Sequence, residues 1–103
     1  MSVSTHVLDT VLGRPAVGIA VVLMDLAGQV LARHATDDGG RVADLAGPLA
    51  AGTYRLRFDT GEYFAGDTFF PEVTVAFTVR ESESHHHVPL LVSPYAYSTY
   101  RGS

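Results

Sequence analysis

There is no cysteine anywhere in the 103 residues. That excludes a disulfide framework and all thiolate chemistry, and it suits a reducing compartment. Basic residues are sparse as well: Lys and Arg number 7 against 11 Asp and Glu, and they form no run. With a formal net charge of −4, the chain carries no electrostatic footprint for nucleic acid. No apolar stretch reaches the roughly 20 residues that a membrane-spanning helix needs. The opening MSVSTHVLDT lacks a basic segment followed by an apolar one, so no secretory leader is expected. Internal repeats, linkers and low-complexity tracts are missing too. So is a Gly-x-Ser-x-Gly elbow, which disfavours a covalent acyl route. The expectation is a soluble cytoplasmic protein with neither nucleic acid nor membrane as partner, folded as a single domain over residues 1–103.

Hydrophobic residues make up 47% and charged residues 17%, a balance that packs a core rather than staying disordered. The apolar pattern has period two. Tyr54, Leu56 and Phe58 alternate with Arg55, Arg57 and Asp59, and Val73, Val75, Phe77 and Val79 alternate with Thr74, Ala76 and Thr78. Each reads as a strand with one face inward. Residues 18–26 are apolar on both faces, so that strand is expected to be covered twice. It turns at Ala27-Gly28 into a second strand, QVLARHAT. Further turn signals stand at Gly13-Arg14-Pro15, Asp37-Asp38-Gly39-Gly40, Ala51-Gly52 and Ser93-Pro94. Only residues 61–69 suit a helix, and their two glycines keep it short. About seven or eight short strands so spaced predict an all-β fold, an antiparallel β-sandwich.

Side-chain parity then separates core from outer face. In HVPLLVS, Val88, Leu90 and Val92 share one face, which turns His87 and Leu91 outward. An outward Leu91 hints at a covering partner. Val7 reads as core, so His6 and Leu8 also turn outward. Arg41 follows the two glycines of DDGGR, free to approach a groove. In the tail, Tyr95 and Tyr97 are expected to help fill the core. Tyr100 then looks outward on the face of His87, since Ser93-Pro94 predicts a hairpin. His34 reads as solvated, and Phe69, Phe70 and Pro71 as cover for one end of the sandwich. Three consecutive histidines, 85 to 87, with His6 are a weak signal for zinc, because metal ligands usually come from separated elements. No metal and no cofactor are expected.

Six segments carry a resemblance: STHVLDT, GRP at 13–15, DGGR at 38–41, YFAGDTFFPEVTVAF at 63–77, HVPLLVSPY at 87–95 and the terminal YRGS. In order and spacing they resemble the 5-hydroxyisourate hydrolases, the transthyretin-like enzymes of urate breakdown. The terminal YRGS is the most specific of them, since transthyretin itself departs from the family there. The resemblance implies a prealbumin-like sandwich of two four-stranded sheets with one short helix. It also implies a homotetramer, a dimer of dimers, with active sites in a central channel where subunits meet. His6, Arg41 and His87 match the family's catalytic positions, and Ser103 joins them. Tyr100, Arg101 and Gly102 match its substrate-binding end, with His6 and Arg41 again contributing. His86 departs from the pattern, because family members often carry an aromatic residue there.

The implied reaction is hydrolysis of 5-hydroxyisourate, a purine derivative, to 2-oxo-4-hydroxy-4-carboxy-5-ureidoimidazoline. Water must lose a proton as it attacks a ring amide carbonyl, and the departing nitrogen must gain one. Histidine suits both tasks, with an ordinary pKa of about 6.5. Which of His6 and His87 is the base stays open. Arg41 offers forked donors to an anionic, oxygen-rich substrate and a fixed charge to the developing oxyanion. The competing reading is a non-catalytic, transthyretin-like carrier of small molecules. A base beside a fixed cation argues against it.

Overall fold

The computed structural model describes residues 2–81 and 85–103. Among them the elements run β1 (Ser2–Asp9), β2 (Arg14–Pro15), β3 (Ala20–Asp25), β4 (Val30–Ala35), β5 (Arg41–Val42), β6 (Gly52–Phe58), α1 (Thr60–Tyr63), β7 (Val73–Val79), β8 (His85–Ser93) and β9 (Ala96–Thr99). The predicted strands and the single short helix are all present, and they form a sandwich of two sheets. One sheet runs β4-β3-β6-β7, antiparallel throughout. The other runs β2-β1-β8-β9. It gains a fifth strand because β5 shares the free edge of β1 with β2: Leu8 and Asp9 face Pro15 and Arg14, while Thr5 and His6 face Val42 and Arg41. Two-residue strands at different heights on one edge leave that sheet four strands wide.

One pairing departs from the antiparallel expectation. β1 and β8 run parallel, from Ser2 opposite His85 to Asp9 opposite Val92. No hairpin joins these strands, so nothing in the local chain dictates their sense. Their shared direction places every outward residue of β1 beside an outward residue of β8.

Between the sheets lie the inward residues of the alternating strands. Val7, Val21, Leu23, Leu56, Phe58 and Leu90 are all 0% exposed. Burying each such side chain is worth about 1.5–3 kcal/mol. Val22 points to the outside of its sheet and is still only 7% exposed. Its cross-strand neighbours Arg33 and Arg57 flank it, but the expected second cover does not extend along the stretch: Ala20 and Leu26 are exposed and Met24 half-buried.

The helix is set by its caps. Asp59 accepts from the Glu62 amide at its start, and Ala65 and Gly66 follow it with φ of 54° and 82°. It is pinned to the other sheet by the Tyr63 hydroxyl, which donates to Asp9 Oδ2 at 2.8 Å. Burial, followed by that bond and the Asp9 charge, pushes the Tyr63 pKa up to about 12.

Three smaller expectations need correction. Tyr95 and Tyr97 do not fill the core: Tyr95, 72% exposed, sits in the turn before β9, and Tyr97, 42% exposed, lies on β9, an edge strand. The Tyr97 ring instead meets Phe70 edge-on at 5.2 Å, and Phe69 stays exposed. His34 is not simply solvated, since its Nε2 bonds the Leu45 carbonyl at 2.6 Å.

Candidate active site on the outer face of the first sheet

Parity along β1 and β8 decides what faces outward. Val3, Val7, Val88 and Leu90 turn into the core, as does His86, which is 5% exposed and accepts from the Arg80 amide through Nε2. Ser4, His6, His87 and Leu91 therefore lie on the opposite face. The expected division between His86 and His87 is the one the strand adopts.

Arg41 reaches this face through a tightly bonded turn. Asp37 Oδ1 accepts from the amides of Gly39 and Arg41, both at 2.9 Å, and the Gly40 carbonyl accepts from Val7 N at 2.8 Å. Gly40 has φ of 71°, and a Cβ added there would lie 2.6 Å from the Val7 carbonyl oxygen. Only glycine allows that approach. The turn delivers Arg41 directly opposite His6 in the β1–β5 ladder.

The chain end arrives from the other side. The Gly102 amide donates to the His87 carbonyl at 3.0 Å, an isolated antiparallel bridge that brings Ser103 beside His87. Gly102 packs against the imidazole so closely that an added Cβ would collide with His87 Cδ2. Together these segments wall a cleft of about 290 Å³ lined by Ser4, Arg41, His85, His87 and Ser103. That is the lower end of the range for small-molecule sites, about 300 Å³ upward.

Electrostatics in the cleft act on His87. Burial lowers its pKa first, and the charges of Arg41, His6 and His85 lower it further. The imidazole is therefore neutral at neutral pH, the form that accepts a proton. His6 does not line the cleft, but it stands beside Arg41 and close enough for its charge to be felt at His87.

Tyr100 and Arg101 go elsewhere. β9 ends at Thr99, so the two-residue alternation does not carry past it. Both residues line a second cleft, about 380 Å³, at the sandwich edge with Val75, Phe77 and Val88. His87 borders both clefts and is the point of contact between them. Among the described residues, no group of three or more His, Cys, Asp or Glu is placed to hold a metal ion. Ser4 escaped sequence reasoning, and His85 entered it only within the weak zinc signal of residues 85–87. Ser4 and His85 each stand two residues before a recognised histidine, so parity alone was the signal that places them on the same face.

A small two-sheet sandwich with imidazoles, a guanidinium and a chain end gathered on one outer face defines a narrow class. The chain belongs to the HIUase/Transthyretin family, whose model matches residues 3–102. It is 47% identical to the 5-hydroxyisourate hydrolase of Salmonella typhi, over 97% of this chain and 79% of that one. It is 48% identical to 5-hydroxyisourate hydrolase 2 of Rhizobium meliloti (strain 1021), over 97% and 94%. Among solved structures it is similar to Klebsiella pneumoniae 5-hydroxyisourate hydrolase, with a TM-score of 0.91, 39% identity and coverage of 99% and 93%. Transthyretin from Sparus aurata also matches, with a TM-score of 0.90, 29% identity and coverage of 98% and 96%.

Proposed function

We propose that this chain hydrolyses 5-hydroxyisourate at a ring amide and yields 2-oxo-4-hydroxy-4-carboxy-5-ureidoimidazoline, as one transthyretin-like domain spanning residues 1–103. The observation that carries the reading is that His87 and Arg41 line one cleft, where burial and the Arg41 charge lower the His87 pKa. A base needs a bare lone pair, and a cation nearby holds the imidazole neutral. His87 takes the proton as water attacks the ring carbonyl. Arg41 binds the anionic substrate and stabilises the oxygen on which charge develops. His6, opposite Arg41, orients the substrate or the attacking water, and the Ser103 hydroxyl contacts one of the two. Gly102 lets the chain end close on the imidazole. Tyr100 and Arg101 act on the substrate from the adjoining edge cleft. No cofactor or metal enters this scheme.

The reading includes a cytoplasmic enzyme assembled as a homotetramer, a dimer of dimers. Half-buried Leu8 and Leu91, apolar and outward on the same sheet face as His6 and His87, support a covering subunit. The assay generates 5-hydroxyisourate with urate oxidase and follows its ultraviolet decay. Decay well above the spontaneous rate is expected, and exchange of His87 or His6 for Asn should cost about 10²-fold or more in turnover. Decay at the spontaneous rate with the intact protein would overturn the hydrolase reading and leave the small-molecule carrier in its place.

A further inference from the structure

We propose that Ser4 and His85 are positioning residues that hold the His87 imidazole with its proton on Nδ1 and its Nε2 bare toward the cleft. This deepens the hydrolytic reading above and rests on it. Four side chains make a continuous hydrogen-bonded chain along the outer face. Ser2 Oγ lies 2.6 Å from His85 Nδ1, His85 Nε2 lies 2.8 Å from Ser4 Oγ, and Ser4 Oγ lies 2.7 Å from His87 Nδ1. The parallel register builds it, since Ser2 stands opposite His85 and Ser4 opposite His87.

A hydroxyl carries one hydrogen, and Ser4 sits between two imidazole nitrogens. It donates to one ring and accepts from the other, so the tautomers of His85 and His87 are linked. In one direction His87 Nδ1–H donates to Ser4, the Ser4 hydroxyl donates to His85 Nε2, and His85 Nδ1–H donates to Ser2. In the other direction every proton sits on the opposite partner, and His87 carries its hydrogen on Nε2. Nε2 is the ring nitrogen not bonded to Ser4, and the charges of Arg41, His6 and His85 all disfavour a further proton on the ring, Arg41, which lines the same cleft, foremost among them. Both favour the direction that leaves Nε2 as a lone pair.

The first direction gives His87 the form a base requires. Its Nε2 takes a proton from the attacking water and returns it to the departing ring nitrogen. The O–H bond of water is thus replaced by an N–H bond on the product, and His87 ends as it began. The Nδ1 proton never moves; Ser4 and His85 hold it in place. While His87 is cationic, its bond to Ser4 becomes charge-assisted and stronger.

The test combines ¹⁵N–¹H correlation spectra of the imidazoles with steady-state kinetics on the full chain. Wild-type His87 should show a protonated Nδ1 and an unprotonated Nε2. Ser4→Ala and His85→Phe should shift it toward Nε2–H and lower kcat about 10-fold, with KM close to wild type. Ser4→Thr keeps the hydroxyl and His85→Gln keeps an acceptor, so both should restore the signature and most of the rate. A wild-type His87 protonated on Nε2, or a spectrum unmoved by Ser4→Ala, overturns the proposal. His87→Asn separates the two readings. Full turnover in His87→Asn defeats the assignment of His87 as base. A deep loss there, with wild-type kcat in Ser4→Ala and His85→Phe, defeats the positioning role alone.

Discussion

Gly40 shows how one residue controls both the fold and the site. Its positive φ belongs to a region that costs a side-chain-bearing residue about 1–2 kcal/mol, before any clash with the Val7 carbonyl. Gly40→Ala should therefore lose about 2 kcal/mol or more in urea denaturation. It should also lose turnover in the protein that remains folded, because Arg41 is the next residue. Arg41 in turn contributes, after burial, to the lowered pKa of His87. Removing its charge with Arg41→Gln should raise the His87 pKa toward its ordinary value, read by NMR titration. The sign for stability follows from a folded pKa below the unfolded one. Above about pH 6.5 both states leave His87 neutral and it contributes no pH dependence. As the pH falls below that value the unfolded chain binds a proton first, and stability drops until the folded ring titrates as well. Between about pH 7 and pH 5, Arg41→Gln should lose less stability than wild type.

At the scale of elements, the link between α1 and β1 is the most exposed to test. The Asp9 carboxylate is 3% exposed and fully engaged: Oδ1 takes the amides of Val11 and Leu12, and Oδ2 takes the Tyr63 hydroxyl. Tyr63→Phe leaves a buried carboxylate oxygen short of a donor, which costs about 1–3 kcal/mol. The raised Tyr63 pKa adds a signature in base. Stability that is complete below about pH 10 is lost as the pH climbs from the ordinary tyrosine value toward about 12, and Tyr63→Phe should lack that loss. Urea titrations at rising pH read both effects. Elements of this kind mark where sequence reasoning succeeds and where it stops. Alternation identified β6, β7 and β8 and the outward turn of His6 and His87, because burial on one face writes itself into every second residue. It failed for Tyr97, where an edge strand has the right period but no opposite sheet to meet. It was also silent on the parallel sense of β1 and β8, a long-range choice that leaves no local trace. The Ser4–His87 bond depends on that choice, so the hydrogen-bonded chain beside the site was not legible, and its two serines gave no signal of their own.

On the scale of the whole molecule, the outer face of the first sheet carries both the proposed site and the proposed contact with another subunit. Parity made His6, Arg41 and His87 visible as outward residues, and the structure adds that the chain end joins them through the Gly102–His87 bridge. Tyr100 and Arg101 lie round the sandwich edge, so deleting residues 100–103 removes material from both clefts at once. The deletion should spare the core, since Tyr100, Arg101 and Ser103 are exposed and Gly102 is half-buried. Turnover should fall at least as far as in His87→Asn, with the thermal midpoint close to wild type. A wild-type rate would remove the chain end from the site. Assembly is tested by a different residue. Leu91 stands outward on β8, with Leu8 opposite it on β1 and Ser98 opposite it on β9. It is neither a lining residue of the cleft nor a member of the core, so Leu91→Glu places a charge where the proposed covering subunit would pack. Burying an unpaired carboxylate against an apolar face costs several kcal/mol, enough to break a sheet-to-sheet contact. Sedimentation should show the wild type as the proposed tetramer and Leu91→Glu as smaller species with native circular dichroism. If the channel between subunits completes the site, turnover falls in proportion to the tetramer lost and recovers at protein concentrations that restore it. Full activity in the smaller species would mean that one face of one subunit suffices for the reaction.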